Sequence, residues 1–494
     1  MLKAAGVFWR QETAPRAAVF VDMADYLLAA RDAMTKARRS IHLLNWAFEA
    51  TTPFAPEPGS GKAEGFGDFL KDLAAAKPDV DVRLLCWDAA LPVAATQSFF
   101  PVMDRRAFAG SAVKFKLDAK VPMGACHHQK MIVIDDAVAF CGGADVGPDR
   151  WDRPEHIDDD PRRERPHAHG KCYDSRHEVM ALVDGPPAKA LGDLFRERWR
   201  RCTGETLSAP TPLAPEAWPA EVAPILREVS VGISRTMPAW RNEQPVREIE
   251  QLSLASIASA KQTIYMENQY FTSPLVAEAL AARLAEPDGP EVVLISTQHS
   301  PSYFDQMTMD RTRVHFIKTL RRADTGGRMF IYSPATLLGR IIIVHAKLAI
   351  IDDTLLRVGS ANMNNRSTGF DTECDLAFEA SGAGTVEIRA AITALRTRLV
   401  AHWLGCPDAL VEASLAKEGR LGAAIEALRS SGHARLRPIP EAPLGPVATM
   451  IADYHLGDPA TAWDSFRPWR RRRQIERDLQ RVRTPAKAGE PTHS

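Results

Sequence analysis

The chain has 494 residues, enough for more than one folded unit with a sizeable core. Apolar residues make up 45% and charged residues 25%, the mix of a globular protein. The formal net charge is zero, so nothing global selects nucleic acid or an anionic surface as a partner. Seven cysteines, scattered without a C-x-x-C pair, read as free thiols in a reducing compartment and argue against a cysteine metal site.

The N-terminal stretch lacks a continuous apolar core and soon carries Arg10 and Glu12, so it does not read as a signal peptide. No segment approaches the ~18 uninterrupted apolar residues of a membrane span. The expectation is a cytoplasmic protein that meets any membrane peripherally, from the aqueous side.

In chain order, YLLAARDAMTKAR (26–38) has helical spacing. SIHLLNWAF (40–48), VDVRLLCW (80–87) and MIVIDD (131–136) are short apolar runs of the kind buried on both faces of a sheet. HEVMALVDGPPAKALGDLFRERW (177–199) reads as a strand followed by a helix ending in Trp. A Pro-rich stretch then marks a linker over 203–230. Beyond it, VREIEQLSLASIASA (246–260) is helical, and TIYMENQYF (263–271), EVVLIST (291–297) and RIIIVHAKLAII (340–351) are strands.

This second series echoes the first. HHQKMIVIDD (127–136) returns as VHAKLAIIDD (344–353). Gly142 and Gly359 each stand fourteen residues after a motif histidine, with Asp145 and Asn362 three further on. The duplication defines two α/β halves, 1–202 and 231–407, with a C-terminal extension over 408–494 whose end is expected to be disordered.

Side chains alternate along a strand, so His128 and Lys130 share a face, as do His345 and Lys347. Two such halves would surround a cavity with two imidazoles and two ammoniums. That set suits a phosphodiester. The lysines neutralise the non-bridging oxygens. One imidazole attacks phosphorus, and the other protonates the leaving alcohol and then activates water or an acceptor alcohol. The residues alone do not say which is which.

Glu178 and Glu373 recur at equivalent places and are assigned as the carboxylates that orient the histidines. Asp135 and Asp352 have the opposite strand parity and are assigned to support of the following turns. Gly142, Gly143, Gly359 and Ser360 belong to segments read as allowing close backbone approach to a ligand. No metal and no cofactor are expected. His167, His169 and His177 fit no standard zinc spacing. A single H-x-K-x4-D has a substantial chance rate, but two copies with matched glycines and glutamates do not.

At these residues the sequence resembles the phospholipase D superfamily, over roughly residues 20 to 405. HHQKMIVIDDAVAFCGGADVGPDRWD is similar to the family's first motif with its GG-x-D and RWD continuation. IYMENQYF, VHAKLAIIDD with VGSANMNNRS, and DTECD resemble its later blocks. The resemblance implies two halves packed with pseudo-twofold symmetry and a site between them. It implies His128 as nucleophile and His345 as general acid/base, with Lys130, Lys347 and Asn362 binding phosphate. Asp145 stands where many members have Asn, and an unpaired carboxylate there would repel phosphate.

The implied activity is hydrolysis of a glycerophospholipid to phosphatidic acid and a headgroup alcohol, with transfer to alcohols as a side reaction. The alternatives are a cardiolipin synthase-like phosphatidyltransferase, a nucleic-acid phosphodiesterase and an inactive lipid-binding scaffold. One chain holds both half-sites, so a monomer suffices. Loop 148–176 reads equally as a substrate-selecting lid or a surface insertion. The basic segment 466–481 reads slightly better as a solvated helix start than as a lipid-headgroup dock.

Overall fold

The computed structural model describes residues 6–57, 64–89, 101–164, 172–210, 217–382, 384–440 and 443–483. His167, His169 and the terminal segment 484–494 lie outside the described residues. Within them, no helix is long and apolar enough to cross a membrane.

The two halves are built alike and meet edge to edge. Each contributes seven successive strands to one sixteen-stranded sheet, completed by the short strand Val246–Arg247 beside Leu226–Met237 and by Leu436–Pro438 at the outer edge. The N-terminal half runs outward from the centre as Arg10–Val21, Val179–Asp184, Val138–Gly142, Met131–Ile134, Ser40–Asn45, Asp81–Trp87 and Lys114–Asp118. The C-terminal half mirrors it as Leu226–Met237, Glu373–Glu379, Leu355–Gly359, Lys347–Ile351, Thr263–Asn268, Glu291–Ile295 and Met329–Pro334. At the seam Arg10–Val21 and Leu226–Met237 pair antiparallel, from Arg10 opposite Ile233 to Ala17 opposite Leu226. This continuous sheet ties the halves more closely than two separately packed domains.

Strand alternation assigns the cores. Val179, Ala181 and Val183 face a core that spans both halves and includes Trp199 and Trp403, from the helices Pro186–Thr203 and Thr385–Leu404. Met180 and Leu182 point the other way, into a core confined to the N-terminal half under the helices Met23–Thr35 and Phe66–Ala76. The C-terminal half has its own counterpart on that face, covered by Glu248–Ser259, Pro274–Ala285 and Tyr303–Ala323.

One boundary differs from the expectation. The linker ends earlier than residue 230, because the strand Leu226–Met237 starts within it. Nor is it a free tether: Ala217 and Trp218 are buried in the N-terminal core, and Lys36 Nζ donates to the Trp218 carbonyl at 2.8 Å. The C-terminal extension is integrated too. Its strand Leu436–Pro438 adds to the outer edge of Met329–Pro334. In the helix Pro468–Arg483, Arg471 is buried and bonds to Asn365, while Arg472 pairs with Glu476 at 3.5 Å.

Candidate active site

Each motif histidine is approached by backbone from the other half. The His128 N–H donates to the Thr372 carbonyl at 2.9 Å, and the His345 N–H donates to the His177 carbonyl at 2.8 Å. Ile343–Val344 pairs in parallel with Arg176–His177, and His127 bridges Thr372 in the same sense. These pairings carry Glu178 and Glu373 to the opposite motifs. His128 Nδ1 lies 2.9 and 3.0 Å from the two oxygens of Glu373, and His345 Nδ1 lies 2.9 Å from Glu178 Oε2. Ser360 Oγ donates to Glu373 Oε2 at 2.5 Å, so it props the carboxylate that faces His128.

With Nδ1 directed to carboxylate, each ring has Nε2 left for chemistry. His128 keeps 15% of its side chain exposed, and His345 keeps 9%.

Both lysines are buried. Lys130 Nζ donates to the His128 carbonyl at 2.8 Å, and Lys347 Nζ to the His345 carbonyl at 2.6 Å. Asp145 is not an unpaired charge. Its Oδ2 lies 3.4 Å from Lys130 Nζ, and its Oδ1 accepts the Trp46 and Ala47 N–H groups at 2.9 and 3.1 Å. The carboxylate thus positions Lys130 and the start of a loop. Asn362 Oδ1 is buried with no hydrogen-bond partner among the described residues.

The motif aspartates bind backbone of neighbouring strands rather than the turns that follow them. Asp135 accepts the N–H groups of Arg38, Arg39 and Ser40 at 2.7–2.8 Å. Asp352 accepts those of Lys261, Gln262 and Thr263 at 2.7–2.8 Å. Each binds the entry of the neighbouring strand.

The glycines are closely packed by protein. A Cβ on Gly142 would sit 2.6 Å from the Val179 carbonyl, and one on Gly359 would sit 2.0 Å from Asp375 Oδ1. A Cβ on Gly143 would come 3.1 Å from Lys347 Cδ and 3.4 Å from Glu178 Oε2, so Gly143 lets one half's motif approach the other's.

Burial dominates the electrostatics. Desolvation, with Lys130 and Lys347 nearby, holds His128 well below the ordinary imidazole range. Burial, then Lys347, Arg150, Arg176 and Lys130, does the same to His345. Burial pushes the Glu373 and Glu178 carboxyls up. Lys347 is lowered to about 7, again by burial first, against the pull of Glu178.

Two side chains at the site were not anticipated. Arg150 Nη1 stands 3.6 Å from Glu178 Oε1, in the loop read equally as a lid or a surface insertion. Trp46 is edge-on to His128, with ring centroids 6.4 Å apart, and Lys130 Nζ lies 5.9 Å from its ring centroid. Its place in SIHLLNWAF, level with Gln269 of the second copy, was the available signal.

Loop 148–164 is packed down. Asp152, His156, Asp160 and Arg163 are buried, Trp151 packs under Arg162, and Asp158 accepts from Thr336 Oγ1 at 2.6 Å across the halves. Behind Glu178, Asp22, His156, His177 and His402 bring four potential metal-ligating atoms within 4.8 Å of one another.

Two family models match the chain. The phospholipase D family model matches residues 33–275, and the model for the cardiolipin synthase phospholipase D-like domain matches 254–392. A duplicated α/β fold in which each half lends a His-x-Lys motif to one site defines the class. The chain belongs to the phospholipase D superfamily.

The cardiolipin synthase of Geobacillus thermodenitrificans (strain NG80-2) is 26% identical over 241 residues, covering 49% of this chain and 40% of that protein. Phospholipase D A of Dictyostelium discoideum is 23% identical over 427 residues, covering 73% of this chain and 32% of that protein. The matches therefore span two fifths or less of these relatives' lengths. The crystal structure of the phosphatidylserine synthase from Haemophilus influenzae Rd KW20 superposes with a TM-score of 0.53 at 11% identity over 94% of each chain, a likeness of fold.

Proposed function

We propose that the protein is a phospholipase D-type phosphodiesterase. It hydrolyses glycerophospholipids at the headgroup phosphodiester, giving phosphatidic acid and a free alcohol. The observation that supports this most is the pair of imidazoles, each held at Nδ1 by a glutamate of the other half, beside two buried lysines.

In the first step His128 Nε2 attacks phosphorus while the bond to the headgroup oxygen breaks. His345 gives that oxygen its Nε2 proton. Both rings are held neutral by burial and by the lysines. A bound phosphodiester anion offsets the lysine charges, which favours the proton uptake that His345 needs as acid. In the second step His345 takes a proton from water, the water oxygen attacks phosphorus, and the phosphorus–nitrogen bond breaks. Lys130 and Lys347 hold the non-bridging oxygens throughout.

An alcohol that replaces water in the second step gives transfer instead of hydrolysis. Cardiolipin synthases among the relatives favour a second reading on the same chemistry, with another lipid's hydroxyl as acceptor.

One assay tests both. The purified full chain is given phosphatidylcholine, phosphatidylethanolamine, phosphatidylglycerol and a DNA oligonucleotide, with and without ethanol. Headgroup release with phosphatidylethanol in the ethanol arm is the expected result. Cardiolipin as the dominant product from phosphatidylglycerol would move the assignment to the transferase. Cleavage of DNA with no lipid turnover would overturn both.

A further inference from the structure

We infer that Asp22, His156, His177 and His402 form a buried site for a divalent transition-metal ion, zinc by preference, separate from the reacting groups. The four residues come from distant parts of the chain. Asp22 precedes the helix Met23–Thr35, His156 lies in the packed loop, His177 precedes Glu178, and His402 lies near the end of the helix Thr385–Leu404.

Their near atoms converge. His156 Nε2 is 3.2 Å from His402 Nε2 and 3.7 Å from Asp22 Oδ2. Zinc bonds of about 2.0–2.1 Å in a tetrahedron set ligand-to-ligand edges of roughly 3.3 Å, which these separations bracket.

The surroundings fit a metal as well as the spacing does. Two of the rings are backed by carboxylates on their far nitrogens: His156 Nδ1 lies 2.9 Å from Asp152, and His177 Nε2 lies 2.7 Å from Glu267. Carboxylates in that position fix the tautomer that turns the opposite lone pair toward an ion. Asp22 is 2% exposed, and its Oδ2 makes no hydrogen bond among the described residues. Its other oxygen accepts the Glu178 N–H at 3.1 Å, and its own N–H donates to the Glu178 carbonyl at 2.8 Å. His177 Nδ1 stands 2.9 Å from that same oxygen without hydrogen-bond alignment. Three imidazoles and one carboxylate are a zinc-type donor set.

Coordination through Nδ1 places the one remaining proton of His177 on Nε2, against Glu267, and releases any second proton to solvent. The ion would pin the loop, both helices and the His177–Glu178 segment to one point. The competing arrangement is an imidazolium at His177, held between Asp22 and Glu267.

The test reads metal content, so it is independent of the phospholipid assignment. Full-length untagged protein is dialysed against chelator, supplied with zinc sulfate, freed of excess and measured by inductively coupled plasma mass spectrometry. The expected result is about one zinc per chain, falling to background in His402→Gln, with a higher Tm in zinc than in magnesium for the unaltered protein. Cobalt added to the unaltered protein should give the visible d–d absorption of a four-coordinate nitrogen/oxygen site, which needs no variant to fold. Zinc at background in the unaltered protein, equal zinc in a folded His402→Gln, or no d–d absorption would each overturn the inference.

Discussion

The carboxylate of Glu373, in the C-terminal half, lies 2.9 Å from Nδ1 of His128, in the N-terminal half, and Glu178 repays the exchange by facing His345 at 2.9 Å. Neither motif histidine therefore takes its orienting carboxylate from its own half. The continuous sheet and the short parallel pairing of 343–344 with 176–177 hold the exchange in register. Each half's orientation of a nucleophile or acid depends on the seam between the halves.

The exchange predicts which step each glutamate supports. Glu373→Gln should impair phosphohistidine formation, and Glu178→Gln should impair leaving-group protonation. Each should cost on the order of 10²-fold in kcat, the usual scale for a misdirected acid or base. The two variants should part on an ester of a good leaving group. With p-nitrophenyl phosphodiester, Glu178→Gln should recover most of its first-step rate, while Glu373→Gln should not. Equal losses on both kinds of ester would show that the exchanged pairs do not divide the labour.

The same logic assigns the nucleophile. p-Nitrophenolate needs no proton to leave, so His345→Ala should release about one equivalent in a burst and then stall, because no base remains for the second step. His128→Ala should show no burst. The covalent adduct should map to residue 128 by mass spectrometry under mildly alkaline quench. A burst in His128→Ala with none in His345→Ala would reverse the roles.

Much of this arrangement was legible in the sequence, for a physical reason. The motif residues flank or begin the strands Met131–Ile134 and Lys347–Ile351, so the period of two read along the sequence already set His128 with Lys130 and Asp135 apart from them. The repeat then supplied Glu178 and Glu373. The exchange between halves was not legible, because equal spacing in both copies fits internal and crossed pairing alike. The first strand, Arg10–Val21, was missed because RQETAPRAAVFV mixes charges with Pro15 and shows no clean alternation, although it forms the seam. Arg150 hid in a charged, Pro-rich stretch, and only the packing of 148–164 against the other half reveals that it is buried.

The low position of Lys347 predicts a pH dependence of anion binding. Burial brings it to about 7, so the ammonium is fully present only below that value. As pH rises through 7 the charge is lost, and affinity for tungstate or inorganic phosphate should fall, by at most about tenfold per pH unit. The sign for stability is opposite. Between about 7 and the ordinary lysine value the unfolded chain binds a proton that the folded chain has lost, so Lys347 contributes stability that grows with pH. Isothermal titration from pH 6 to 9 tests the binding arm, and Lys347→Met should flatten the profile. A profile that stays as steep in that variant would place the titration elsewhere.

Asp135 and Asp352 should matter to stability before chemistry. Each carboxylate satisfies three backbone N–H groups at a strand entry, and each residue has φ in the left-handed region, 55° and 52°. Replacement by Ala removes all three acceptors and leaves a side chain poorly suited to that backbone. Charge-assisted bonds of this kind are worth about 1.5–3 kcal/mol each at most, and water reclaims part of the loss where the donors are reachable, so a net cost of about 2–4 kcal/mol is expected. Ser40, whose N–H faces Asp135, is buried, whereas the N–H groups facing Asp352 belong to more exposed residues, so Asp135→Ala should cost more than Asp352→Ala. Asn at either position tolerates the left-handed region and should recover part of the difference. Urea denaturation measures the order Asp135→Ala, Asp352→Ala, then the Asn variants, with kcat per folded molecule retained throughout. Loss of kcat without loss of stability would put these carboxylates back into the chemistry.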